Sequence, residues 1–167
     1  MMTAEDVATV MARLIESGIE AWLDGGWGVD ALLGEQTRDH EDLDLVVELA
    51  QVDSIQKALK GLGYAIAEDE RPTRLALTAP GDRQIDLHTV VFDRGGGGIQ
   101  SLQDGRTYRY PPEGFCGRGK IVGQVLPCLT PEVQLECHTG YKPTDTDRHD
   151  VRLLTERFVL PLPDSYS

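Results

Sequence analysis

Apolar positions along the chain recur with two periods, and the switches between them divide it into elements. Val7, Val10, Met11, Leu14 and Ile15 repeat at three- and four-residue intervals, which gathers them on one helical face. Thr3 and Asp6 stand ahead of that stretch as a variant capping box, and Gly18 closes it. Ile19 to Leu23 is a short apolar run that predicts a buried strand, Asp24-Gly25-Gly26 a turn, and Trp27 to Leu33 a short helix ending at Gly34. Leu43 to Glu48 predicts a strand, and Val52 to Leu59 a helix stopped by Gly61. Tyr64 to Ala67, Arg74 to Thr78 and Gln84 to Val91 read as three further strands, the last two joined through Pro80-Gly81-Asp82 as an antiparallel hairpin. Gly95 to Gly98 predicts a flexible loop. Thr107 to Tyr110 and Lys120 to Leu126 read as late strands, and Pro131 to Thr139 and Asp147 to Phe158 as helices.

This order predicts an α+β fold: a mixed β-sheet with flanking helices over residues 1–129, then a short C-terminal helical region over 130–167, either separate or part of the same domain. No internal repeat interrupts it. A chain of 167 residues, 40% hydrophobic and 26% charged, can bury a core without cross-links. No apolar run approaches the roughly 20 residues that span a bilayer, and the acidic Met1 to Ile15 segment does not read as a signal peptide. Three cysteines without close pairs argue against a disulfide framework and for a reducing cytoplasm. The net charge of −12 repels duplex DNA and anionic membranes, so neither is an expected partner, whereas a small cation is welcome.

The chemistry is concentrated between Leu23 and Val47. In Asp42-Leu43-Asp44-Leu45 the two leucines point inward and the two carboxylates share the opposite face, about 6–7 Å apart along the strand. Like charges at that spacing call for a cation, and magnesium, which takes hard oxygen ligands and is shared with substrate phosphates, is the natural one. Upstream, Gly25-Gly26 lets backbone N–H groups approach a phosphate at a helix start, and Arg38 and His40 add polar or positive side chains beside the acids. Asp86 and His88 share the polar face of Gln84-Ile85-Asp86-Leu87-His88. If that strand lies beside the first, three carboxylates converge, two to hold metal and one to take a proton from an attacking hydroxyl.

The segment Asp24-Gly25-Gly26-Trp27-Gly28-Val29-Asp30-Ala31-Leu32-Leu33-Gly34, continuing through Gln36-Thr37-Arg38 and His40 to Asp42-x-Asp44, resembles the antibiotic-modifying branch of the DNA-polymerase-β-type nucleotidyltransferases. That branch holds the lincosamide nucleotidyltransferases and the aminoglycoside 2″-adenylyltransferases. The likeness continues through Ile85 to His88, Phe115 to Lys120, His138 to Tyr141 and Asp147 to Leu154, and is stronger to the small lincosamide enzymes. It implies a catalytic domain over 1–129, Asp42 and Asp44 as magnesium ligands, Asp86 as general base, and Gly25, Gly26, Thr37, Arg38 and His40 in the nucleotide-binding segment. It implies Mg2+ and ATP, or another nucleoside triphosphate, as cofactor and co-substrate, and a small-molecule acceptor as the other partner; it allows a homodimer. Asp30, Glu132, His138 and Tyr141 are the acceptor-side candidates. The resemblance thus implies a transferase moving AMP onto a hydroxyl of a small, cationic antibiotic such as a lincosamide or aminoglycoside, with release of pyrophosphate. A nucleotide-binding regulatory or antitoxin-like protein on the same fold is the alternative, and an acceptor hydroxyl on a protein side chain stays open as well.

Other chemistries fit less well. Cys116, Cys128, Cys137, His138 and His149 lack zinc-ligand spacing. No Gly-x-Ser-x-Gly elbow is present, and no Lys-Ser or Lys-Thr follows Gly95–Gly98 as a Walker loop requires. Asp145 and Asp147 read as the acidic start of a capped helix. Trp22 reads as core, and Trp27 as either core or pocket wall.

Overall fold

A computed structural model describes all 167 residues. Helix α1 (Ala4–Glu16) carries the full capping box: Thr3 Oγ1 accepts from the Asp6 N–H, and the Asp6 carboxylate accepts from the Thr3 N–H at 3.0 Å. Then come β1 (Ala21–Asp24), α2 (Gly25–Leu33), β2 (Leu43–Glu48), α3 (Val52–Lys60), β3 (Ala65–Glu70), β4 (Arg74–Ala79), β5 (Arg83–Phe92), β6 (Gly98–Ser101), β7 (Thr107–Tyr110), β8 (Gly117–Ile121), β9 (Gln124–Cys128), α4 (Pro131–Cys137) and α5 (Asp145–Phe158). No helix is long and apolar enough to cross a membrane.

The sheet runs β3-β4-β5-β2-β1-β9-β8, with β6 and β7 continuing from β5 as a separate ribbon. Strands β2 and β5 are parallel, as are β1 and β9, and the remaining neighbours are antiparallel. Period-two alternation sends Leu23, Leu43, Leu45, Val47, Ile85 and Leu87 into the main core, where α1 and α3 supply Val7, Met11, Leu14, Ile55 and Leu59. The opposite face buries Trp22, Val46 and Val90 against Tyr110, Leu129 and Val133. Further along that second face, at the C-terminal ends of β1 and near the starts of β2 and β5, the alternating positions are acidic.

Three expectations change. Gly25-Gly26 is not a turn ahead of the helix: α2 begins at Gly25, with Asp24 as N-cap accepting from the Gly25 N–H at 2.7 Å. Lys120 to Leu126 is not one strand, because Val122 (φ 49°) and Gly123 (φ 73°) reverse the chain and make the β8–β9 hairpin. The Gly95–Gly98 segment is tied rather than loose. The Asp93 carboxylate accepts from the Gly95 and Gly97 N–H groups and pairs with Arg109 at 2.7 Å, and Gly98 already belongs to β6.

Candidate active site

Two registers build the site. Asp24 on β1 lies opposite Asp44 on β2, and Asp44 lies opposite Asp86 on the parallel β5, so three acids form a row across the sheet. Asp42 precedes β2 by one residue and reaches the same place. Carboxylate oxygens of Asp42, Asp44 and Asp86 all lie within 4.8 Å of one another. The expected convergence is therefore present, made by a parallel neighbour strand and not by a hairpin partner.

The electrostatics of this cluster fit a hard divalent cation. Burial raises the Asp42 carboxyl, and the charges of Asp44 and Asp86 push it further, to about 6. Burial would lower the His88 imidazole, but its bond to Asp44 (Nε2 to Oδ1, 2.9 Å) and the charges of Asp44, Asp24 and Asp86 outweigh that and hold it at about 9. Asp86 accepts from Gln84 Nε2 at 3.1 Å, and the Arg74 guanidinium stands 3.7 Å away while also serving Glu68 and Glu70. Three carboxylates this close, offering oxygen donors only, are the donor set that magnesium takes.

The glycines press α2 onto this cluster. Gly25 has φ 57°, and a Cβ there would collide with the Asp44 carboxylate; one on Gly26 would collide with Arg38 and His40. The start of α2, Asp24, Asp44, Arg38 and His88 share a cleft of about 330 Å³, closed on its far side by His138, Tyr141, Asp147 and Asp150. A second cavity of about 540 Å³ adjoins it through Asp24, His88, Cys137 and Tyr141, and is walled by Tyr108, Tyr110 and Leu102. The size of the second suits a drug-sized molecule.

The other candidates divide. Thr37, Asp30 and His40 form a buried brace: Thr37 Oγ1 donates to Asp30 Oδ1 at 2.6 Å, and His40 Nε2 donates to Asp30 Oδ2 at 2.5 Å. His40 is 3% exposed and packs against Trp27 at 4.4 Å between ring centroids. Asp30, His40 and Trp27 therefore shape the segment from within, and Trp27 is core, not pocket wall. Arg38 reaches the cleft held by Asp150 of α5, with Nε to Oδ1 at 3.0 Å and Nη2 to Oδ2 at 2.7 Å. Burial alone would raise the Asp150 carboxyl, but the two hydrogen bonds from Arg38, with the His138 imidazole 3.8 Å away, hold it at about 2. His149 Nε2 bonds Thr37 Oγ1 at 3.1 Å, and Gln134 Nε2 donates to the Leu23 carbonyl at 3.2 Å, so α4 and α5 are docked onto the site. His138 and Tyr141 line the cleft, Tyr141 donating to Asp147 at 3.0 Å. Glu132 does not join them: it lies exposed in the first turn of α4. The glycine run also stands apart from the acceptor-sized cavity, which β6 enters through Gln100 and the following Leu102.

Sequence reasoning passed over Asp24 and Asp150. Asp24 alternates with the buried Trp22 on β1, and Asp150 interrupts the buried stripe of Val151 and Leu154 on α5. An acid on a buried face is the signal in both cases.

Comparison with known proteins agrees with this geometry. The profile of the aminoglycoside-2″-adenylyltransferase family matches residues 6–154. A lincosamide resistance protein of Staphylococcus haemolyticus is 32% identical over 153 residues, covering 92% of this chain and 94% of the relative. The lincosamide antibiotic adenylyltransferase LnuA, solved with lincomycin bound, superposes with a TM-score of 0.82 at 28% identity, over 92% of this chain and 97% of that one. The ANT(2″)-Ia structure in complex with adenylyl-2″-tobramycin shares the fold, with a TM-score of 0.68 at 19% identity over 93% and 88% of the two chains.

Proposed function

The chain belongs to the aminoglycoside-2″-adenylyltransferase family and is a nucleotidyltransferase, and from that premise we propose that it transfers AMP from ATP, in a magnesium-dependent reaction, onto a hydroxyl of a small cationic antibiotic of the lincosamide or aminoglycoside type. The observation that carries this reading is the cluster of Asp42, Asp44 and Asp86, of which Asp44 lines a polar cleft that adjoins an aromatic-walled cavity.

In this reading Asp42 and Asp44 hold magnesium, which when bound neutralises triphosphate charge and polarises the α-phosphoryl group. The Gly26 backbone and Arg38 receive the phosphates, helped by the positive start of α2, and Gly25, whose own N–H is held by Asp24, lets them approach closely. Arg38 is presented in one orientation because Asp150 grips it at two points. Thr37, Asp30 and His40 keep the intervening segment in place. The acceptor lies in the aromatic-walled cavity, with residues 130–167 forming its far side. Asp86 takes the proton from the acceptor hydroxyl as its oxygen bonds the α-phosphorus, and the bond to pyrophosphate breaks. Gln84 and Arg74 steady Asp86 for that task.

The test is a mass-shift screen. Protein, magnesium and ATP are incubated with a panel of lincosamides and aminoglycosides. Addition of one adenylyl group to a drug, with stoichiometric pyrophosphate, is expected. Nucleotide binding without any modified drug would favour a binding-only protein.

A further inference from the structure

We propose that Asp24 is the counter-charge for the acceptor's protonated amine, and so selects cationic over neutral acceptors. The inference rests on the antibiotic-acceptor reading above and adds the residue that recognises the acceptor's charge.

Asp24 is an anomaly in the site. It is 7% exposed, yet it accepts a single hydrogen bond, from the Gly25 N–H at 2.7 Å, and forms no ion pair. A carboxylate taken out of water requires an opposite charge or a full set of donors. The two histidines that share its cleft are committed elsewhere. His88 Nε2 bonds Asp44 Oδ1 at 2.9 Å, and His138 Nδ1 bonds the Gln134 carbonyl at 2.7 Å. Asp24 is also outside the group of acids whose oxygens converge to hold a metal, which comprises Asp42, Asp44 and Asp86. His88, the nearest positive charge, is shared among Asp24, Asp44 and Asp86 and bonds Asp44, so Asp24 has no cation of its own.

Its position supplies the missing partner. Asp24 borders both the cleft beside the acids and the larger cavity, so it stands where nucleotide and acceptor meet. The wall beside it is aromatic: Tyr108 and Tyr110 pack edge to face at 4.7 Å, and Leu102 extends the apolar surface. Buried carboxylate and aromatic faces together recognise an ammonium carried on an apolar or sugar framework.

The experiment measures drug affinity by calorimetry in the presence of magnesium and a non-hydrolysable ATP analogue. The probes are lincomycin and tobramycin, each beside a neutral counterpart in which every basic nitrogen is carried as an amide, for lincomycin after removal of the N-methyl group. Wild-type protein should prefer a charged drug to its neutral counterpart by about 10- to 100-fold, the range of one charged hydrogen bond. Asp24→Asn, which keeps an N-cap acceptor for α2, should abolish that preference, weakening the charged drug while leaving the neutral one unchanged at saturating nucleotide. Asp24→Ser, also an N-cap residue, repeats the measurement and controls for altered helix capping. A preference that survives both substitutions overturns the role of Asp24 and leaves the cationic-acceptor reading intact. Equal weakening of charged and neutral drugs overturns it too, since that marks a structural role. If the wild type binds neither charged drug, the acceptor reading itself fails, and this inference with it.

Discussion

Replacing Asp42 by asparagine should move stability in opposite directions according to whether a divalent cation is present. Without a cation, Asp42 shares its surroundings with Asp44 and Asp86, and its carboxyl rises from 3.8 to about 6. The folded state therefore binds this proton more tightly than the unfolded chain does. Stability contributed by the protonated acid is present at low pH and is lost as pH rises from about 4 to 6. Two pH units correspond to about 3 kcal/mol, and solvent screening of this half-buried group reduces that to about 1–2 kcal/mol. In chelator at pH 7, Asp42→Asn should be more stable than wild type by that amount, with the difference vanishing below about pH 4. With magnesium and a non-hydrolysable ATP analogue at about 100 times their dissociation constant, wild type should gain about 2.7 kcal/mol by linkage, and the variant should lose most of that gain. Urea unfolding at several pH values, with and without the cation, reads all four states. A variant less stable than wild type in chelator, or one that keeps the full cation-linked gain, refutes the reasoning.

Further outcomes follow from the same geometry. Asp86→Asn should fold and bind magnesium–nucleotide measurably by calorimetry, yet transfer about 10²–10⁴ times more slowly in a pyrophosphate-release assay; near-normal turnover would remove Asp86 as the base. Asp44→Asn should weaken the thermal stabilisation by magnesium and nucleotide, and an unchanged response would place the metal elsewhere. Asp150→Asn should destabilise by about 1.5–3 kcal/mol, raise the KM for ATP by freeing Arg38, and remove the wild-type stability loss as pH falls from about 4 towards 2; Asp150→Glu should restore part of each, and an unaltered KM would reduce the pair to a structural one. With a net charge of −12, affinity for an amine-bearing drug should fall as ionic strength rises, and a salt-independent constant would show that local contacts dominate.

Local pattern determined most of the elements and half of the site. The alternation in Asp42-Leu43-Asp44-Leu45 and Ile85-Asp86-Leu87-His88 fixes which side chains face the core, because strand periodicity is a property of the chain itself. The capping box at Thr3/Asp6 was legible for the same reason: donor and acceptor lie three residues apart. The resemblance carried by residues 24–44 was legible as well. Strand neighbours were not, since nothing local says that β2 pairs with β5 in parallel and with Asp44 opposite Asp86. The break at Val122-Gly123 was hidden because an apolar run reads alike whether it continues or doubles back. Burial of a polar side chain depends on what distant segments bring to it. Asp30 and His40 turned inward to each other, Glu132 turned outward, and Asp150 crossed more than a hundred residues to hold Arg38. Asp24 was visible as a letter in a turn; only the packing of β1 between β2 and β9, with α4 and the β6–β7 ribbon closing over it, made it a buried acid between two cavities.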